Sequence, residues 1–134
     1  MSQRYLLDTN VVSHIMQGRD ADLLARLTQL PVGRAVLSSI TLAELEYGLH
    51  RKGQPQRLRN ALTQVLLRMD VLSWDENVAT CYGEFCSTLE SQGINLSDFD
   101  MMIAAHAVAA DAILVSRDKA FAQVPAERLS LEIW

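Results

Sequence analysis

Cysteine occurs twice, proline three times and glycine six times in 134 residues, and there is no low-complexity tract. Those scarcities exclude a disulfide-stapled miniprotein, a collagen-like repeat and a disordered linker. Cys81 and Cys86 lie five apart in an apolar helical pattern, point to different sides of it, and read as reduced, half-buried residues of a cytoplasmic protein. No apolar stretch approaches the ~20 residues that cross a bilayer, so no membrane association is expected. The opening Met-Ser-Gln-Arg-Tyr-Leu-Leu-Asp sets Arg4 and Asp8 around a very short apolar run, which is not the pattern of a signal peptide. Also missing are a G-x-S-x-G elbow, a Walker lysine loop and a G-x-G-x-x-G fingerprint, which leaves serine hydrolase, P-loop and dinucleotide-binding readings without an anchor. His14, His50 and His106 have no partners at zinc-ligand spacing, and His106, amid Ile103-Ala-Ala-His-Ala, reads as a packed or hydrogen-bonded core histidine.

What is present suits one domain over residues 1–134. Hydrophobic residues make up 49% of the chain, and a chain of this length buries roughly two-thirds of the surface its unfolded form exposes. The net charge of −4 argues against a protein that coats nucleic acid by bulk electrostatics. It leaves room for an enzyme that gathers carboxylates around a metal and keeps its cations elsewhere. Between His50 and Met69 stand Arg51, Lys52, Arg57, Arg59 and Arg68 with no acid among them. That stretch reads either as a solvated helix pair or as a surface that tracks phosphates.

Apolar runs at Tyr5–Leu7, Ala35–Leu37, Val71–Leu72 and Ala112–Val115, and an alternating Leu129, Leu131, Ile133, predict five strands. Helical stripes separate them: Leu23, Leu24, Leu27 and Leu30; Leu42, Leu45 and Leu49; Leu58, Leu62, Val65, Leu66 and Met69; Val78, Ala79, Tyr82, Phe85, Cys86 and Leu89. An alanine-rich helix follows Ser97–Asp100, and a short one covers Lys119–Gln123. Short apolar strands alternating with helices imply a parallel sheet covered on both faces.

In such a sheet functional groups collect beyond the carboxyl ends of the strands. Asp8 ends the first strand, Glu44 lies in the first turn of the helix after the second, Asp100 opens the helix feeding the fourth, and Asp118 follows the fourth. Carboxylates gathered there would raise one another's pKa unless a divalent cation held them ionised, which points to Mg²⁺, with Mn²⁺ as an alternative. Each acid has a plainer reading too. Asp8, Asp100 and Asp118 suit helix caps, and Thr41-Leu-Ala-Glu44 matches a capping box. Asp98 reads either as a cap or as an auxiliary acid beside the metal.

Four blocks stand in order: Leu-Leu-Asp8-Thr-Asn10, Ser38-Ser-Ile-Thr-Leu-Ala-Glu44-Leu-Glu-Tyr-Gly48, Phe99-Asp100-Met-Met-Ile-Ala-Ala-His-Ala107 and Leu114-Val-Ser-Arg-Asp118-Lys-Ala-Phe121. Together, and over essentially the whole chain, they resemble the PIN-domain ribonucleases of the VapC toxin type from bacterial toxin–antitoxin pairs. The resemblance implies an α/β/α sandwich around a parallel sheet and an acidic metal-binding set of Asp8, Glu44, Asp100 and Asp118. Asn10 and Ser116 fall where the family supports its acids. It also implies an RNA substrate, often a structured RNA of the translation apparatus, a cognate antitoxin whose tail fills the active-site groove, and homodimers that assemble further with it. Arg51, Lys52, Arg57 and Arg59 are the candidate RNA contacts.

Two rivals come from other classes. A catalytically silent module would keep the acidic edge only to bind a partner, and would not respond to Mg²⁺. An aspartate-based phosphoryl-transfer domain fits poorly, because its second acid would fall at Asn10 and its late lysine has only Lys119 as a candidate.

Overall fold

The computed structural model describes residues 3–134; the first two residues of the opening segment and of the expected single domain lie outside them. Five strands alternate with helices: β1 (Tyr5–Leu7), α1 (Thr9–Gln17), α2 (Ala21–Gln29), β2 (Ala35–Ser38), α3 (Ser39–Arg51), α4 (Gln56–Arg68), β3 (Asp70–Leu72), α5 (Glu76–Ser91), α6 (Asp98–Ala109), β4 (Ile113–Val115), a 3₁₀ turn (Lys119–Gln123) and β5 (Leu131–Glu132). The strands form one parallel sheet in the order β3-β2-β1-β4-β5.

Period-two alternation sorts the core into two layers. Leu6, Val36 and Leu114 face one side, where α5, α6 and Phe121 cover them. Leu7, Ala35, Leu37 and Val115 face the other, under α1 to α4. The result is the expected α/β/α sandwich. Leu6, Leu7, Leu37 and Leu114 are fully buried, each stabilising the fold by about 1.5–3 kcal/mol. α6 is apolar nearly all round because it is enclosed by the sheet and α5, and its alanines at 104, 105 and 107 permit that close approach.

Several expectations need correction. The last strand is shorter than the alternation suggested: Leu129 is buried ahead of β5, and Ile133 beyond it is exposed. Leu24, Leu66 and Ala79 face solvent, because each helix buries only a narrow stripe against the sheet. The two cysteines diverge as expected, Cys81 Sγ toward the Ala105 carbonyl and Cys86 Sγ toward Glu90, and both are free thiols.

The connections set the position of the site. From central β1 the chain passes to β2 on one side and later returns to β4 on the other, so the strand order reverses between β1 and β4. Helices depart to opposite faces at that point and leave a crevice at the strands' carboxyl ends.

Candidate active site

Asp8 follows β1 at this crevice and is 4% exposed. Its backbone amide donates to the Val115 carbonyl, carrying the β1–β4 register one residue past the strand. Its two carboxylate oxygens are held separately. Val11 N–H donates to Oδ1 at 2.9 Å, which makes Asp8 the N-cap of α1. Ser116 Oγ–H donates to Oδ2 at 2.5 Å. The Ser116 oxygen in turn accepts the Asp118 amide at 3.0 Å, and Asp118 Oδ1 accepts Ala120 N–H as cap of the 3₁₀ turn. One hydroxyl thus ties the end of β1 to the loop after β4.

Asp100 enters from α6. Its amide is capped by Ser97 Oγ, so Ser97, not Asp98 or Asp100, is the N-cap of this helix. Asp8 and Asp100 both sit above the ordinary carboxylate pKa. For Asp8 the main cause is burial, partly offset by the bonds from Ser116 and Val11 and reinforced by the charges of Asp100 and Asp118. For Asp100 it is again burial, offset by Ser97 and reinforced by Asp118. These three acids therefore share one electrostatic neighbourhood. Asp98 does not join them; it is exposed at the start of α6, and the groups that feel its charge are Tyr82 and Cys86 of α5.

Glu44 reaches the crevice from α3. Thr9 Oγ1, the residue after Asp8, donates to its Oε1 at 2.5 Å and also lies 3.3 Å from Thr41 Oγ1. The capping-box reading of Thr41 and Glu44 is overturned: Ser38 caps α3 through the Ile40 amide, and Thr41 is buried inside the helix. Ser38 Oγ also meets Nδ1 of buried His106 at 2.8 Å, the core role expected of that histidine.

Among the described residues no salt bridge reaches these carboxylates. The salt bridges among the described residues use Glu132, Glu46, Asp20 and Glu84 instead. Nor, among the described residues, do three acids, histidines or cysteines converge closely enough to hold a metal ion as they stand. The donor chemistry nevertheless fits a hard divalent cation: the groups are all carboxylate oxygens, two are unfavourably charged where they sit, and among the described residues none is held in a salt bridge.

The cationic stretch divides. Arg59 makes a two-pronged pair with Glu46, at 2.9 and 2.6 Å. Arg68 donates to the Leu27, Thr28 and Leu30 carbonyls and closes the end of α2. Arg51 stacks 5.7 Å from the ring centre of exposed Tyr47. Only Lys52 and Arg57 line a pocket of about 290 Å³ that opens beside Glu44 between α1, α3 and α4. Asn10 stands on its rim and makes no side-chain hydrogen bond among the described residues, unlike Ser116. Thr9, Arg19 and Gly48 were not singled out as site residues from sequence. Gly48, a lone glycine inside a helical pattern, was the one readable signal.

Residues 5–127 match the PIN domain family. The chain is 35% identical to Ribonuclease VapC2 of Haemophilus influenzae over 115 residues, 86% of each chain. It is 33% identical to the tRNA(fMet)-specific endonuclease VapC of Shigella flexneri over 115 residues, again 86% of each. Among solved structures it is similar to a chain of VapBC2 from Rickettsia felis bound to a promoter DNA fragment, with a TM-score of 0.89, 29% identity and coverage of 98% of this chain and 99% of that one.

Proposed function

The chain belongs to the PIN-domain family, with VapC ribonucleases among its relatives, and on that premise we propose that it is an Mg²⁺-dependent endoribonuclease toxin restrained by a cognate antitoxin. The observation that carries this reading is the Asp8 carboxylate, destabilised first by burial and then by the charges of Asp100 and Asp118, and in no salt bridge among the described residues. Asp8 and Asp100 are assigned to hold the principal metal, with Glu44 and Asp118 completing the site or orienting water; Mn²⁺ is the expected substitute. When bound, hydrated Mg²⁺ supplies a water of lowered pKa and a Lewis acid toward the phosphate.

The protein's own part is preorganisation. Val11 N–H and Ser116 Oγ–H fix the Asp8 carboxylate in one orientation before substrate arrives. Thr9 does the same for Glu44 from the adjoining position of α1. The 3₁₀ turn, capped by Asp118, holds that acid at the crevice mouth. The substrate class is a structured RNA of the translation apparatus, and similarity to a tRNA(fMet)-specific endonuclease supports a transfer RNA. Similarity to a chain of a VapBC assembly supports an antitoxin partner, whose tail would enter the groove; a toxin homodimer is part of the same proposal.

The test is cleavage of transfer and ribosomal RNA by the purified chain, with and without Mg²⁺ and after chelation. Asp8→Asn and Asp100→Asn should each lower the rate by more than about a hundredfold, beyond the usual effect of outer-shell changes. Their metal-free melting temperatures should stay at or above wild type. Ordinary cleavage by either variant overturns the assignment.

A further inference from the structure

The pocket beside Glu44 carries features that the metal-binding acids do not explain. Gly48 lies in the interior of α3 with ordinary helical geometry, and a Cβ built there meets nothing within 4 Å. A glycine at such a site costs about 1 kcal/mol relative to alanine, and no close packing among the described residues requires it. It forms part of the wall between Glu44 and Lys52, above a floor of Met16, Leu45 and Leu49. The rim carries Arg19, Lys52 and Arg57, all exposed, none in a salt bridge among the described residues. Arg59, one position beyond Leu58, shows the contrast, since its charge is already taken by Glu46.

We propose that this pocket binds one nucleotide of the RNA next to the bond that is cut: its base lies over Gly48 on the apolar floor, and its outer phosphate meets Lys52 and Arg57. The inference rests on the ribonuclease reading and adds a specificity subsite to it. A pocket of about 290 Å³ accommodates a nucleoside. Three free cations select a polyanion over a basic peptide tail. From Glu44 to Lys52 is eight residues of helix, about 12 Å, which spans roughly two backbone steps of an extended single strand. Ser13, also on the wall, presents a hydroxyl to a base edge.

The experiment measures cleavage kinetics on transfer RNA, together with binding of mixed-sequence single-stranded RNA oligonucleotides to the Asp100→Asn protein. Gly48→Leu fills the space and should raise KM about tenfold with kcat little changed, and should alter which sites are cut. Lys52→Ala with Arg57→Ala should flatten the slope of log affinity against log salt by about 1.4, two contacts at about 0.7 each. Gly48→Ala, folded and of unreduced melting temperature, should show a smaller KM effect and so separates pocket filling from misfolding. If wild type cleaves and Gly48→Leu keeps its KM and cutting pattern, the subsite is wrong while the nuclease reading stands. If wild type cuts no RNA, the nuclease reading falls first. Loss of antitoxin neutralisation in Gly48→Leu with unchanged RNA kinetics would make the pocket a protein-docking site and overturn the proposal.

Discussion

The Asp8 carboxylate caps α1 with one oxygen and takes the Ser116 hydroxyl with the other, so the observed helix-capping role is compatible with the proposed metal role. Ser116→Ala removes one of its two donors and frees the Asp118 amide as well. The expected result is an apparent Mg²⁺ affinity lower by about 10–100-fold, followed as the metal concentration that half-restores activity. His106 gives a separate pH effect. Burial holds its pKa below the ordinary 6.5; the Asp75 charge raises it, and Arg4 lowers it. The unfolded chain therefore takes the proton first. The stability that the neutral ring contributes is complete above about pH 6.5 and is lost as pH falls toward the depressed folded value. His106→Asn should flatten that part of a plot of urea midpoint against pH, whatever it costs in packing. Ser116 and His106 were legible as a supporting group and a core group, because each lies inside a motif with a definite local environment. Asp98 was not: a cap one residue away differs only in backbone geometry, which composition does not encode.

Along α3 the same limit appears for a different reason. The sequence shows a threonine three residues before Glu44, but capping depends on where the helix begins, and the helix begins earlier, at Ser38. Glu44 is thereby released to bond Thr9, a partner 35 residues away that local spacing cannot indicate. The cationic run behaves likewise. Five positive residues looked equivalent on paper, yet pairing of Arg59 with Glu46 and of Arg68 with the α2 carbonyls leaves only part of the run available. Gly48→Ala is the informative change in this helix. It should raise stability by about 0.5–1 kcal/mol, or about 3 °C in Tm, since the new methyl meets open space and the backbone loses a flexible residue. Scanning calorimetry checks it; a fall in Tm would show that the pocket wall does not tolerate even a methyl group.

Strand and helix alternation made the layered architecture readable, because the sheet face of each strand is written in period two and every loop returns to the same edge. Convergence of charge at that edge is a property of the whole fold, and it has a measurable consequence. Burial holds the folded pKa values of Asp8 and Asp100 above those of an ordinary carboxylate, so the stability of the metal-free protein from these groups is fully present below the ordinary carboxylate range and lost as pH rises through the raised values. A cation bound to the carboxylates reverses the loss. Melting curves with and without Mg²⁺ should nearly coincide near pH 4 and separate progressively toward pH 7, with a gain growing by about 1.4 kcal/mol per tenfold of Mg²⁺ above its Kd. Asp8→Asn and Asp100→Asn should each shrink that separation, because each removes both a ligand and part of the repulsion. A wild-type melting temperature indifferent to Mg²⁺ at neutral pH would leave an acidic edge that binds no metal, and the silent interaction module would then be the better description of this fold.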